Sequence, residues 1–307
     1  MSEQPRFMLI TPSRMQDNAI FDRAAALAKA HDAALHIVAF DYLEGLVTAD
    51  LVNEQIREVL GKNYVERHRQ WLEQRASLLR EQGLSVTTEV VWVDNPLDEI
   101  LIHLQEQPMT GLLKSIEYHS QLSRLIFTPL DIQLLRKCPT PLHFVGDAKH
   151  ALPRRIMAAV DPFHRDGRYQ DLNDRILHEA VKLASACNAT IHVIYAHDLS
   201  SISAMEFGFD NGSPFFSSKT ARTLFEAQSD AFNELADRNG IPPEQRHMIM
   251  GTPTKVLSSY ASAYDIDVIV MGRVGHGDQD HLVGSTVESL LYEMPCSLWV
   301  LAPEPMA

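Results

Sequence analysis

The chain has 307 residues, 45% of them hydrophobic and 22% charged, which is ordinary globular composition and enough length for two domains. Forty acidic residues against 27 basic ones give a net charge of −13, which repels nucleic-acid phosphates and anionic membrane surfaces, so neither is expected as a partner. Three single cysteines, Cys138, Cys187 and Cys296, lack Cys-x-x-Cys spacing, the opening residues carry no secretory pattern, and no apolar run approaches the ~18 residues of a membrane span; a cytoplasmic protein is expected.

In chain order, residues 7–10 form a short apolar run stopped by Pro12 and read as a buried strand. An alanine-rich stretch over 17–31, with apolar residues at helical spacing, reads as a helix, and 35–40 as the next strand; together they make a right-handed βαβ unit. A long, charged, helix-forming region follows over about 51–83. Residues 86–93 read as a third strand, Pro96 marks the first turn of a helix, and 111–114 is a fourth strand. A helix over about 131–137 and a strand at 142–145 complete the set, and the polar segment 147–154, with Pro153, is the linker. The order then starts again: a strand at 156–160 stopped by Pro162, a helix over 171–187, a strand at 191–196, and a loop over 199–219 rich in Ser, Gly, Asn and Phe. A helix from Thr220, a strand at 247–250, Pro253 at a helix start, a strand at 268–271, a helix over 285–292 and a strand at 298–301 follow.

The two halves are copies. Residues 20–38 align with 176–194, 156 positions later, with seven of 19 positions identical, and Leu134-Leu135 matches Leu290-Leu291 at the same offset. A repeat of this length is a duplicated domain. Five nearly all-apolar strands alternating with helices predict an α/β fold in each copy, with a doubly wound, five-stranded parallel sheet; the domains are 1–147 and 154–307. Ligands on such sheets bind at the carboxyl ends of the strands, at the switch point between strands one and four.

That rule directs attention to Asp161 and Pro162 after the first strand of the second copy, to Ala196 at the end of its second, and to the segment after its fourth. There Gly272, Arg273 and Gly275 are followed by Gly284, Ser285 and Thr286 at a helix start, where bare amides, hydroxyls and a positive dipole end suit an anion. Asp161 is the candidate partner for ribose hydroxyls or Mg²⁺, the alternative being a simple Asp-Pro turn. His276, Asp278, Asp280 and His281 lie inside this loop and read as solvated rather than as a metal site. The first copy differs at the same place. It has no glycine from 112 to 145, Phe127-Thr128-Pro129 stands against Val283-Gly284-Ser285, and Thr11 is aligned with Asp161, so the first domain is a degenerate copy without the cradle. Gly251-Thr-Pro-Thr-Lys255 lacks the length and second glycine of a Walker loop, and no Gly-x-Ser-x-Gly or His-Glu-x-x-His occurs, so no catalytic residue is assigned.

The Gly272…Gly275…Gly284-Ser285 spacing, with Asp161 after strand one, resembles the universal stress protein family in its tandem two-domain form, and the resemblance covers essentially the whole chain. Eight residues separate Gly275 from Gly284 where the family pattern has nine. The resemblance implies an adenine nucleotide alpha hydrolase-like fold and a non-enzymatic stress-response role. It implies ATP or AMP, with Mg²⁺, held in the second domain by Asp161, Pro162, Ala196, Gly272, Arg273, Gly275, Gly284, Ser285 and Thr286. It also implies a pseudo-dimer in which strands 142–145 and 298–301 meet within one chain, and it leaves association into a homodimer and the protein partners open. The alternative is a nucleotide-independent interaction scaffold, or a binder of lipid or another apolar ligand.

Overall fold

The computed structural model describes residues 4–12, 15–16, 18–41, 54–93, 95–116, 129–146, 148–163, 171–198, 218–274 and 285–303. The chain divides into two units, Met1–Leu152 and Pro153–Ala307.

The first unit runs β1 (Arg6–Ile10), α1 (Ala19–Ala30), β2 (Ala34–Asp41), α2 (Glu54–Glu81), β3 (Val86–Trp92), α3 (Pro96–Glu106), β4 (Gly111–Ser115), α4 (Leu130–Lys137) and β5 (Leu142–Val145). Its strands lie in the order β3-β2-β1-β4-β5, every neighbouring pair parallel. The chain leaves β1 for β2 on one side and reaches β4 on the other, which opens the switch point at the carboxyl ends of β1 and β4. Phe7, Met8 and Leu9 of β1 are fully buried, as a central strand covered on both faces requires. Asn18 caps α1 by accepting from the Ile20 amide at 3.1 Å, and Ile20, Phe21, Ala24, Leu27 and Ala28 turn inward onto the sheet.

The second unit repeats the plan with β6 (Arg155–Ala159), α5 (Leu172–Cys187), β7 (Thr190–His197), α6 (Ser218–Arg238), β8 (Arg246–Met250), α7 (Pro253–Ala263), β9 (Val268–Gly272), α8 (Ser285–Leu291) and β10 (Ser297–Leu301). The order is β10-β9-β6-β7-β8, again parallel throughout. Both units are therefore α/β with five parallel strands, and β6 and β9 flank the second switch point. The element after 199–219 starts at Ser218 rather than Thr220, and Val160 falls just past the end of its strand.

The copies agree down to single backbone angles. Asp32 and Asn188, 156 positions apart, both adopt the left-handed conformation, at φ 48° and 51°. Each follows a helix whose end is closed the same way, Ala33 N to Ala28 O at 2.9 Å and Ala189 N to Ala184 O at 2.8 Å. Gly83 and Gly240 likewise end α2 and α6 at φ 85° and 69°, conformations that a side chain would strain.

The register corrects one expectation. Ile10 pairs with Val38, and Ala159 with Ile194, the repeat mate of Val38. Beyond them Thr11 N donates to Val38 O and Val160 N to Ile194 O, each at 3.0 Å. Thr11 therefore corresponds to Val160, and Pro12 to Asp161. Aligning Pro12 with Pro162 shifted the strands by one residue, because the hydrogen-bond ladder, and not the shared proline, fixes the match.

Candidate functional site

Asp161, Pro162, Ala196, Gly272 and Arg273 all lie at the carboxyl ends of β6, β7 and β9, three strands that adjoin in the sheet. Asp161 is exposed, and its position is fixed from two directions. Asn173, in the first turn of α5, accepts from the Asp161 amide at 3.0 Å and donates to its carbonyl at 2.8 Å. The Asp161 carboxylate accepts from the Phe163 amide at 3.1 Å, closing an Asx turn around Pro162. The turn reading of Asp-Pro is thus realised, and it holds a negative charge at the mouth of the sheet. That charge acts on its neighbour: the buried Tyr195 hydroxyl is pushed up to about 12, first by burial and then by Asp161.

Gly272 closes β9 opposite Leu301. A Cβ there would stand 2.6 Å from Leu172 Cδ2, 2.9 Å from Leu172 Cγ and 3.1 Å from Ile176 Cδ1, so the missing side chain is what lets α5 press onto the sheet. Sequence reasoning gave this glycine to a phosphate; the structure supplies a packing reason for it. The Arg273 amide is already engaged, donating to Leu301 O at 2.9 Å, so it is not offered to a ligand. Ser285 and Thr286 open α8, as the spacing predicts. Gly275, Gly284 and the residues His276, Asp278, Asp280 and His281 lie outside the described residues.

In the first unit the same strand ends carry different chemistry. Pro12 stands in place of Asp161 and supplies neither carboxylate nor N–H. Ser115 stands in place of Gly272, since Ser115 pairs with Val145 as Gly272 pairs with Leu301, 156 residues on. One residue earlier, Lys114 is buried and its Nζ lies 2.8 Å from Asp131 Oδ1, itself buried in the first turn of α4. The ammonium also donates to Ser115 O at 3.2 Å. The mates of this pair in the second unit are Met271 and Val287, both buried and apolar. The first unit thus carries its own internal ion pair beside the strand end. The sequence held the signal for it, two charged residues at positions that are apolar in the other copy.

β7 also carries a strand histidine that the sequence reads, with its repeat mate, as a core or edge residue rather than a ligand, and whose partners only the fold supplies. The repeat mates His36 and His192 are both in strands, but with different partners. His36 Nδ1 lies 2.8 Å from Thr87 Oγ1 and its Nε2 faces Glu89 at 3.5 Å. His192 Nδ1 lies 3.2 Å from His247 Nε2 and 3.1 Å from the Tyr260 hydroxyl. Burial holds His36, His192 and His247 below the ordinary histidine value, with the neighbouring His247 and Arg155 adding to the effect on His192. Among the described residues no group of three His, Cys, Asp or Glu is placed to hold a metal ion, and no helix is long and apolar enough to cross a membrane.

Comparison with known proteins agrees with this architecture. Residues 8–146 and 153–302 each match the model of the universal stress protein family. Universal stress protein E of Escherichia coli K12 is 25% identical over 257 residues, covering 83% of this chain and 80% of that protein. The protein of the same name from Photorhabdus laumondii is 27% identical over 262 residues, covering 83% and 81%. Among solved structures, a putative universal stress protein from Pseudomonas aeruginosa UCBPP-PA14 is similar with a TM-score of 0.71 at 25% identity, covering 98% of this chain and 94% of its own.

Proposed function

The chain belongs to the universal stress protein family, and we propose that it is a non-enzymatic stress-response module whose second unit holds an adenine nucleotide, ATP or AMP with Mg²⁺, at the ends of β6, β7 and β9. The observation that carries this reading is the difference between matched positions. The second unit presents Asp161, Gly272 and a helix opening on Ser285-Thr286, where the first presents Pro12, Ser115 and Pro129.

In this reading the Asp161 carboxylate, exposed on its Asx turn, accepts from ribose hydroxyls or helps to hold Mg²⁺. The backbone of Ala196 borders the base, the Arg273 side chain faces the phosphates, and Gly275, Gly284, Ser285 and Thr286 supply amides and hydroxyls to them. No Walker lysine is available to move a phosphoryl group, so occupancy rather than turnover is the signal.

Isothermal titration of the whole chain with ATP tests this. The account expects saturable heat that weakens at least tenfold in Asp161→Ala and in Gly284→Ala. No heat at millimolar ATP, or a co-purified acyl chain in native mass spectrometry, would support the scaffold or apolar-ligand reading instead.

A further inference from the structure

His197, the last residue of β7, is 1% exposed, and neither ring nitrogen has a hydrogen-bond partner. Gln228 of α6 is 7% exposed, and its Oε1 has none either. A neutral imidazole needs one donor and one acceptor, and a buried amide oxygen needs a donor; proteins rarely leave such groups dry without a use for them.

These two side chains share a neighbourhood. The Tyr195 and His197 rings lie 6.3 Å apart on one face of β7; Phe225 stands edge-on to His197 at 5.6 Å, and Phe232 lies 6.1 Å from Tyr195. Gln228 falls between Phe225 and Phe232, three and four positions away, so it projects from the same face of α6 toward the same strand. Asp161 is near enough to act on Tyr195, which puts this face next to the strand-one turn. The frame is fixed as well: Arg238 of α6 donates to both oxygens of Asp174 of α5, at 2.8 and 2.7 Å, one residue from the Asn173 that fixes Asp161. Burial holds His197 below the ordinary histidine value against the opposing pull of Asp198.

We propose that His197 and Gln228 recognise the base of the nucleotide, a heterocycle edge with adjacent donor and acceptor. The exocyclic N–H donates to Gln228 Oε1 and the neighbouring ring nitrogen accepts from the His197 N–H. Phe225, 42% exposed, is the outer member of the aromatic set, and the base enters past its ring. This rests on the nucleotide reading of the second unit.

The test is isothermal titration of the full chain with ATP and with inorganic tripolyphosphate, on the wild type, Gln228→Leu and His197→Phe, with thermal melts of each without ligand. ATP should bind at least tenfold more tightly than tripolyphosphate. Gln228→Leu should remove that advantage, leave tripolyphosphate affinity unchanged, and raise the ligand-free Tm, because an unpartnered buried oxygen is removed. His197→Phe should act in the same direction on ATP, which keeps the test open if the leucine variant does not fold. ATP bound as tightly by either folded variant as by the wild type, or a lowered Tm in Gln228→Leu, overturns base recognition alone. Silence toward both ATP and tripolyphosphate overturns the nucleotide reading, and this inference with it.

Discussion

Gly272 shows how one position can be claimed by two kinds of chemistry. Its spacing relative to Gly275 and Gly284 points to a phosphate loop, while its surroundings point to α5, whose Leu172 occupies the space a Cβ would take. Gly272→Ala should therefore destabilise the second unit by about 1–3 kcal/mol through overpacking, read as a lower denaturant midpoint at unchanged m-value. Restoring room with Leu172→Ala in the same chain should recover less than the full loss, since that change leaves its own cavity. A Gly272→Ala protein as stable as the wild type would remove the packing account. Asp161 was legible from its place after a strand, but its mate was not. Pro12 and Pro162 are each read from sequence as the stop after strand one, and only the Ile10–Val38 and Ala159–Ile194 register shows that they are offset by one residue.

Strands were the most legible elements. A parallel strand buried on both faces must be apolar throughout, so 7–10, 156–160 and 268–271 could be read as runs without any partner in view. The Lys114–Asp131 pair was not legible as a pair. Its members are 17 residues apart, on β4 and α4, and only the fold brings the ammonium to the carboxylate. Removing one partner leaves the other charged and buried, so Lys114→Met alone should cost about 3–5 kcal/mol in chemical denaturation. The double change Lys114→Met with Asp131→Val writes the second unit's residues into the first and should fall within about 1 kcal/mol of the wild type or above it. Equal losses in the single and double variants would show that the pair has no such coupling. His197 and Gln228 were beyond sequence reasoning for a different reason: nothing in a string of residues says which polar atoms will end up without partners.

Across both units, four of the described histidines shape the response to mild acid. His36 in the first unit and His192, His197 and His247 in the second are all held below 6.5, burial being the largest cause for each. Glu89 opposes the shift at His36, while His247, Tyr260, Tyr264 and Arg155 surround His192. A depressed value means that the unfolded chain binds protons more readily than the folded one. The stability these rings contribute is complete above about 6.5 and drains away as pH falls through it toward their folded values. Thermal melts between pH 7.5 and 5.5 should show a falling Tm, and His192→Gln with His247→Gln should flatten the fall. A Tm that rises on acidification contradicts this.

The duplication explains why one chain carries two versions of the same sheet mouth with different side chains. Asp32 and Asn188, or Gly83 and Gly240, kept matching backbone angles, while Pro12 and Asp161, or Lys114 and Met271, took different chemistries. Frame and site have therefore diverged independently, and the central claim is that the ligand site is single. The direct measurement is the stoichiometry of ATP binding to the intact chain by titration calorimetry, repeated on Asp161→Ala. The account predicts one equivalent per chain, abolished by that substitution. Two equivalents, or one that survives Asp161→Ala unchanged, would contradict it.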